Sequence, residues 1–146
     1  MSVTNDSPIF PQTVLNKVVQ IANADGTTKK TLWAGSATGD KIECIIVTSN
    51  DTAARILNFY FTISAVDYPI GQVNVPITSG QDPAAAPVAI PAISVLETNA
   101  LLPWVRKDSD GRGYLYVASG TTLKVAAQVA VTAAKEIDIV AIGGSY

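Results

Sequence analysis

Two long runs rich in Ile, Val, Thr, Phe and Tyr lie within residues 42–75, and they limit the possible folds more than any other part of the chain. Such residues suit a pleated, half-buried surface. Between the runs, Ser49-Asn50-Asp51-Thr52-Ala53-Ala54 is a cluster of small and polar residues that reads as a loop. In the second run Leu57, Phe59, Phe61 and Ile63 alternate with Asn58, Tyr60, Thr62 and Ser64. That spacing puts one apolar row on one face of a strand. A third run begins at Tyr68, where Ile70, Gln72 and Asn74 alternate with Gly71, Val73 and Val75. The pattern predicts the centre of an antiparallel sheet, with the other strands laid around it.

Residues 13–23 predict a strand closed by Asn23-Ala24-Asp25-Gly26. Asp-Gly is a strong hairpin signal, because glycine tolerates positive φ, and the next strand is expected at 29–34. Later strands are expected at Tyr114-Leu115-Tyr116-Val117, through the alternating Leu123, Val125, Ala127, Val129 and Val131, and through Ile137, Ile139 and Ala141. Residues 1–12 read as an extended N-terminal arm, since Pro8 and Pro11 fix φ and carry no amide hydrogen. Residues 76–104 form a Pro/Ala-rich excursion containing Pro76, Pro83, Pro87 and Pro91. Prolines do not sit within a central ladder, so this is an irregular connection or an edge, with a short helix at 94–99. Eight or nine strands with almost no helical periodicity predict an all-β fold: an antiparallel β-sandwich of jelly-roll type over residues 13–146.

Charge narrows the choice of partners. Charged residues make up 15% of the chain and hydrophobic ones 48%, against a usual charged share of roughly 25%. A surface so poor in charge is either rich in small polar residues or lies against partners. The net charge of −2 is spread along the chain, without the basic stripe that nucleic acids require. No apolar run is long enough to span a membrane. Met1-Ser2-Val3-Thr4-Asn5-Asp6 has no charged region followed by an apolar one, so synthesis in a cytoplasm without secretion is expected. Cys44 is the single cysteine and has no partner for an internal disulfide.

The chain contains no histidine. That removes the commonest general base and the commonest metal ligand together, and with them any Ser-His-Asp, Cys-His or Cys/His zinc site. Cys44, placed by alternation on one face with Ile42 and Ile46, reads as a small buried hydrophobe. Asp108-Ser109-Asp110-Gly111 resembles the start of a calcium loop, but the twelfth position is Ser119 where glutamate is required, so a solvated turn is expected. Glu43, Asp51, Asp67, Glu97, Glu136 and Asp138 are the carboxylates from which a glycosidase pair would have to come. Arg55 shares a face with Leu57 and Phe59 and, at a strand end, is placed to pair with Asp51, to cap loop carbonyls or to stand as an ordinary rim charge. Trp33, Trp104, Tyr114, Tyr116 and Tyr146 are candidates for a stacking surface. No enzyme activity, cofactor or metal is expected.

Three pieces of the sequence carry a resemblance. They are Ser49-Asn50-Asp51-Thr52-Ala53-Ala54-Arg55, Asp67-Tyr68-Pro69-Ile70-Gly71 and the terminal Ala141-Ile142-Gly143-Gly144-Ser145-Tyr146. With the segments around them, covering about residues 13–75 and 112–146, they resemble a group of small tailed-bacteriophage virion proteins known as capsid decoration, or cement, proteins. The resemblance implies a sandwich bound to the exterior of an icosahedral capsid, where it ties major capsid protein subunits together, as a homo-oligomer on the lattice and without nucleic acid or membrane. It makes Ile9 and Phe10 of the arm, and Ile90, Ile93, Leu101, Leu102 and Trp104 of the excursion, the expected interface residues. Three other classes remain open: a tail or fibre-associated host-binding module, a β-sandwich hydrolase and a carbohydrate-binding module.

Overall fold

The computed structural model describes residues 11–81, 89–99 and 105–146. Their strands are β1 (Thr13–Ala22), β2 (Lys30–Ala34), β3 (Asp40–Ser49), β4 (Arg55–Ile63), β5 (Val66–Val75), β6 (Ile90–Pro91), β7 (Arg106–Lys107), β8 (Gly113–Val117), β9 (Thr121–Ala127) and β10 (Glu136–Ser145). One helix, α1 (Ala92–Asn99), follows β6. The strands form two antiparallel sheets. Sheet A runs β1-β10-β3-β8-β7, with β6 also paired to β3, and sheet B runs β2-β9-β4-β5. The expected antiparallel sandwich is the observed architecture.

The core lies between the two sheets. Val19, Ile21, Ile45, Val47, Ile137 and Ile139 of sheet A are buried in the same cluster as Leu57, Phe59, Val73, Leu123 and Val125 of sheet B. Each set comes from alternate positions on its strand, so the period-2 pattern fills the space between the layers. Trp33 is fully buried, and its indole N–H donates to Asp40 Oδ2 at 2.6 Å. The Ser36 hydroxyl donates to the other oxygen of the same carboxylate. Trp33→Phe removes that donor and leaves the space of the five-membered ring empty in the core. We expect a loss of about 2–4 kcal/mol, measured by urea unfolding.

Three expectations are corrected. First, the Asp-Gly turn does not join a hairpin. β1 pairs with β10, and β2 pairs with β9 in the other sheet. Asn23–Asp25 form a single 3-10 turn, and the Asp25 carboxylate accepts the Ala22 N–H and a Lys30 ammonium bond, so the chain drops from one layer to the other.

Second, a bulge breaks the parity of β3. Ile142 lies opposite Cys44 but Gly143 lies opposite Ile42, which leaves Glu43 extra. An extra residue flips the faces on either side of it. Ile42 therefore points inward, while Cys44 joins Ile46 on the outer face and is half-buried. A second bulge, where Phe59 and Tyr60 face Gly71 and Pro69, turns Ile70 into the core alongside Val73 and Val75.

Third, the excursion turns inward. Ala92, Ile93 and Leu96 of α1 are buried in the core cluster, with Ile93 only 6% exposed. Helical spacing puts these residues on one side, over the open end between the sheets. A Cβ on Gly71 would come within 2.6 Å of Leu96 Cδ2, so glycine there makes room for the helix.

Candidate functional site

The two outer faces of the sandwich differ in chemistry. On sheet B the face is mostly polar and cross-linked, although Ile56 on it and Ile63, Val66 and Tyr68 at its β4–β5 end are exposed. Lys29 and Lys124 both bridge to Asp67, at 2.8 and 3.3 Å, and Thr62 donates to the same carboxylate. The Lys29 ammonium also sits 4.4 Å from the centre of the Tyr60 ring, and Gln72 donates to Asn58. The bonds from Lys29 and Thr62 hold the Asp67 carboxyl well below the usual carboxylate range. These pairs satisfy one another, as a solvated face requires.

On sheet A the middle of the outer face is apolar, between a polar end where Gln20 and Gln81 both donate to Asp138 and a charged end where Lys41 meets Glu43. The register sets Val18, Val140 and Ile46 side by side across three strands, and Asn16, Ile142 and Cys44 in the next row. Val14, Val18 and Ile142 are among the exposed large hydrophobics. Cross-strand neighbours on one face touch, so this is a contiguous patch and not scattered residues.

The same face ends in aromatics. Tyr116 pairs with Lys41 across the β3–β8 ladder, and its ring lies 6.3 Å from that of Tyr146. The Lys41 ammonium lies 4.8 Å from the Tyr114 ring centre and bridges to Glu43 at 3.0 Å. That bond to Glu43 raises the pKa of Lys41, and burial raises that of the Tyr146 phenol, so the end presents a Lys41–Glu43 ion pair beside the tyrosine rings. Backbone bonds fix the last residue: Thr38 donates its hydroxyl to the Tyr146 main-chain oxygen, and the Tyr146 N–H donates to Gly39. Gly39 has φ 83° and a Cβ there would strike the Tyr116 hydroxyl, which is why glycine stands beneath that ring.

Between the two ends, β3 loses its outer neighbour. It pairs with β8 at Asp40–Ile42 and with β6 at Ile46 and Val47, and the backbone between is unpaired on that side. A groove of about 330 Å³ opens there, lined by Cys44, Pro91, Ser94 and Arg112 among others. Among the described residues no three carboxylate or thiol groups gather as a metal site. The Asp108 carboxylate is occupied by its own turn, accepting the N–H groups of Asp110 and Arg112 at 3.0 and 2.9 Å.

The residues singled out from sequence fare differently. Ile9, Phe10, Leu101, Leu102 and Trp104 lie outside the described residues. Ile93 is core, and Ile90 packs half-buried against it opposite Val47, so neither offers the expected surface contact. Trp33 is also core. Tyr114, Tyr116 and Tyr146 do come together. Arg55 does pair with Asp51, at 2.7 Å, in a buried network at the edge of the core. The residues that sequence reasoning missed are Val14, Val18, Val140, Ile142 and Ile46. Their signal was in the middle of β3 and β10, where Ile46, Val140 and Ile142 stand at outward positions otherwise filled by Lys41, Thr48, Glu136 and Asp138. Comparison with family models, with curated proteins and with solved structures found no match for this chain.

Proposed function

We propose that this chain is a structural virion protein that binds the exterior of a phage capsid and stabilises the contacts between major capsid subunits. The observation that carries the reading is the outer face of sheet A, where Val14, Val18, Ile46, Val140 and Ile142 form a contiguous aliphatic patch that runs toward three tyrosines, whereas the outer face of sheet B is mostly cross-linked polar groups with Ile56 among them. Aromatic and aliphatic side chains in one contiguous patch are the composition of an interface core. The strand order supports a jelly-roll classification: apart from the β4–β5 hairpin, successive long strands alternate between the sheets. The sequence resemblance supports the capsid as the partner. In this role the chain stabilises the shell by mass action, since it binds the assembled lattice and not the free subunit. Many weak sites on one lattice then add through avidity.

The test uses capsids of the source phage stripped of this protein, with bound protein measured by co-sedimentation. Tyr116→Ala and Val18→Lys should each weaken binding by about 2 kcal/mol, roughly thirtyfold. Asn58→Ala, on the polar face, should leave it unchanged. Equal losses from both faces, or no binding by the unaltered chain, would remove the capsid reading. The tyrosine cluster favours one alternative, a tail or fibre-associated module that stacks host sugars. Copy number separates the two: hundreds per particle for a decoration protein, few for a tail module.

A further inference from the structure

The edges of the two sheets are unequally defended. β5 carries Pro69 and the bulge at Ile70. β2 has five residues and a register shift. β7 has two residues, both cations. These are the usual devices against edge pairing. β1 has none of the backbone ones. It runs ten residues against β10 in unbroken register, without proline or bulge.

The backbone groups that β1 leaves open follow from its neighbour. Glu136 donates its N–H to Asn50 Oδ1 and accepts the Asn50 N–H on its carbonyl, so both of its groups face β3. Ala22, opposite Glu136 on the other side, therefore turns away from β10, and its N–H goes to Asp25. Alternation along an antiparallel ladder then turns the N–H and C=O of Val14, Asn16, Val18 and Gln20 to the open edge. The Gln20 carbonyl is taken by Lys30 Nζ at 2.7 Å. The chain's own side chains thus close one end of the edge. Among the described residues the open part is centred on Asn16, flanked by Val14 and Val18, which are 78% and 64% exposed.

We propose that β1 pairs antiparallel with β1 of a second copy about a two-fold axis at Asn16, joining two sheets A into one. In that register Val14 faces Val18 of the second copy, Asn16 faces Asn16 of the second copy, and each pair exchanges both of its N–H···O bonds. About this axis each valine of the outward row meets a valine of the second copy, which makes the patch self-complementary, as an isologous contact requires. Centring on Lys17 instead would oppose two ammonium groups directly and would need the Gln20 carbonyl, which is already occupied. With the axis at Asn16, Lys17 lies opposite Leu15 of the second copy and can lay its methylene stem over it. The outer row Ile46, Val140, Val18 continues into Val14 of the second copy, so the apolar face becomes continuous across the axis. One strand pair buries less than a stable interface needs. The dimer is accordingly weak in solution, with a dissociation constant in the micromolar range or above.

Sedimentation velocity of the full chain, from micromolar to millimolar concentration, should show the mass rising from 15.2 kDa toward twice that value. Asn16→Pro removes the central N–H of the open edge, a position where proline is tolerated, and should remain monomeric throughout. A second measurement keeps the test decisive if that variant does not fold. In a Cys44→Ser background, Asn16→Cys should cross-link to its own copy on mild oxidation, since paired Cα atoms about 5.5 Å apart are within disulfide range. Gln20→Cys in the same background should not. A monomer at every concentration, a dimer that survives Asn16→Pro, or cross-linking at position 20 in preference to 16 would overturn the pairing. The inference does not rest on the capsid reading: a dimer that ignores capsids would remove that reading and leave this one standing.

Discussion

Replacing Asp51 by alanine should lower folding stability by about 3–5 kcal/mol, seen as a lower urea midpoint with an unchanged slope. Asp51 is fully buried beside the β3–β4 loop. Its carboxylate accepts Arg55 Nε at 2.7 Å and the N–H groups of Thr132 and Ala53 at 3.1 and 3.0 Å. Arg55 in turn donates to the Thr132 hydroxyl at 2.8 Å. Alanine would leave a mostly buried guanidinium and two part-buried amides without their acceptor, and unpaired groups there carry much of the desolvation penalty. A domain stability of about 5–15 kcal/mol makes this one of the largest single-site effects available. The network ties three separate segments together, the β3–β4 loop, the start of β4 and the β9–β10 loop, so its loss is felt across both sheets.

The same carboxylate sets a pH dependence. Burial pushes the Asp51 pKa up, but the bonds from Arg55, Thr132 and Ala53 outweigh burial and hold it well below its ordinary 3.8. A group depressed in the folded state contributes fully above its unfolded pKa, about 3.9, and loses that contribution as pH falls toward the folded value. Unfolding free energy should therefore fall steeply below about pH 4. Asp51→Asn removes one titrating group and should make the profile shallower in that window, the remaining slope coming from Asp67 and the other depressed carboxyls, at the expense of lower stability at pH 7.

Gly143→Ala should be of similar size, about 3 kcal/mol or more, and should be read from the yield of folded protein as well as from its unfolding midpoint. A Cβ at Gly143 would lie 2.1 Å from the Lys41 carbonyl oxygen and 2.9 Å from Ile42 Cα, both main-chain atoms of β3. Its neighbour Gly144 is hemmed in on the other side, where a Cβ would come within 2.5 Å of the Thr13 carbonyl oxygen of β1. Backbone cannot step aside as the end of a side chain can. β10 is the inner strand joining β1 to β3, so forcing it away from either neighbour opens sheet A at its middle. Gly143 also lies at the bulge that sends Cys44 outward, and its substitution should expose that thiol to alkylating reagents faster.

Several features were legible in the residues alone: the two-layer β architecture, the buried faces of β4 and β9 and the Asp51–Arg55 pair. They were legible because each depends on local periodicity or on residues a few positions apart, and a strand writes its inward face directly into alternate positions. The partners of the strands were not. Asp-Gly promised a hairpin, yet β1 and β2 belong to different sheets, because their aliphatic rows are buried best beside β10 and β9. The faces of Cys44 and Ile70 depended on bulges, and one extra residue reverses every side chain beyond it. Ile93 was read as adhesive because an isolated apolar residue in a proline-rich stretch gives no sign of a core waiting at the end of the sandwich. By its own pattern, then, the chain determined that it would form two facing sheets with an aliphatic interior. Tertiary packing alone decided which outer face stayed apolar and which strand edge stayed open, since both are set by which distant segments lie side by side.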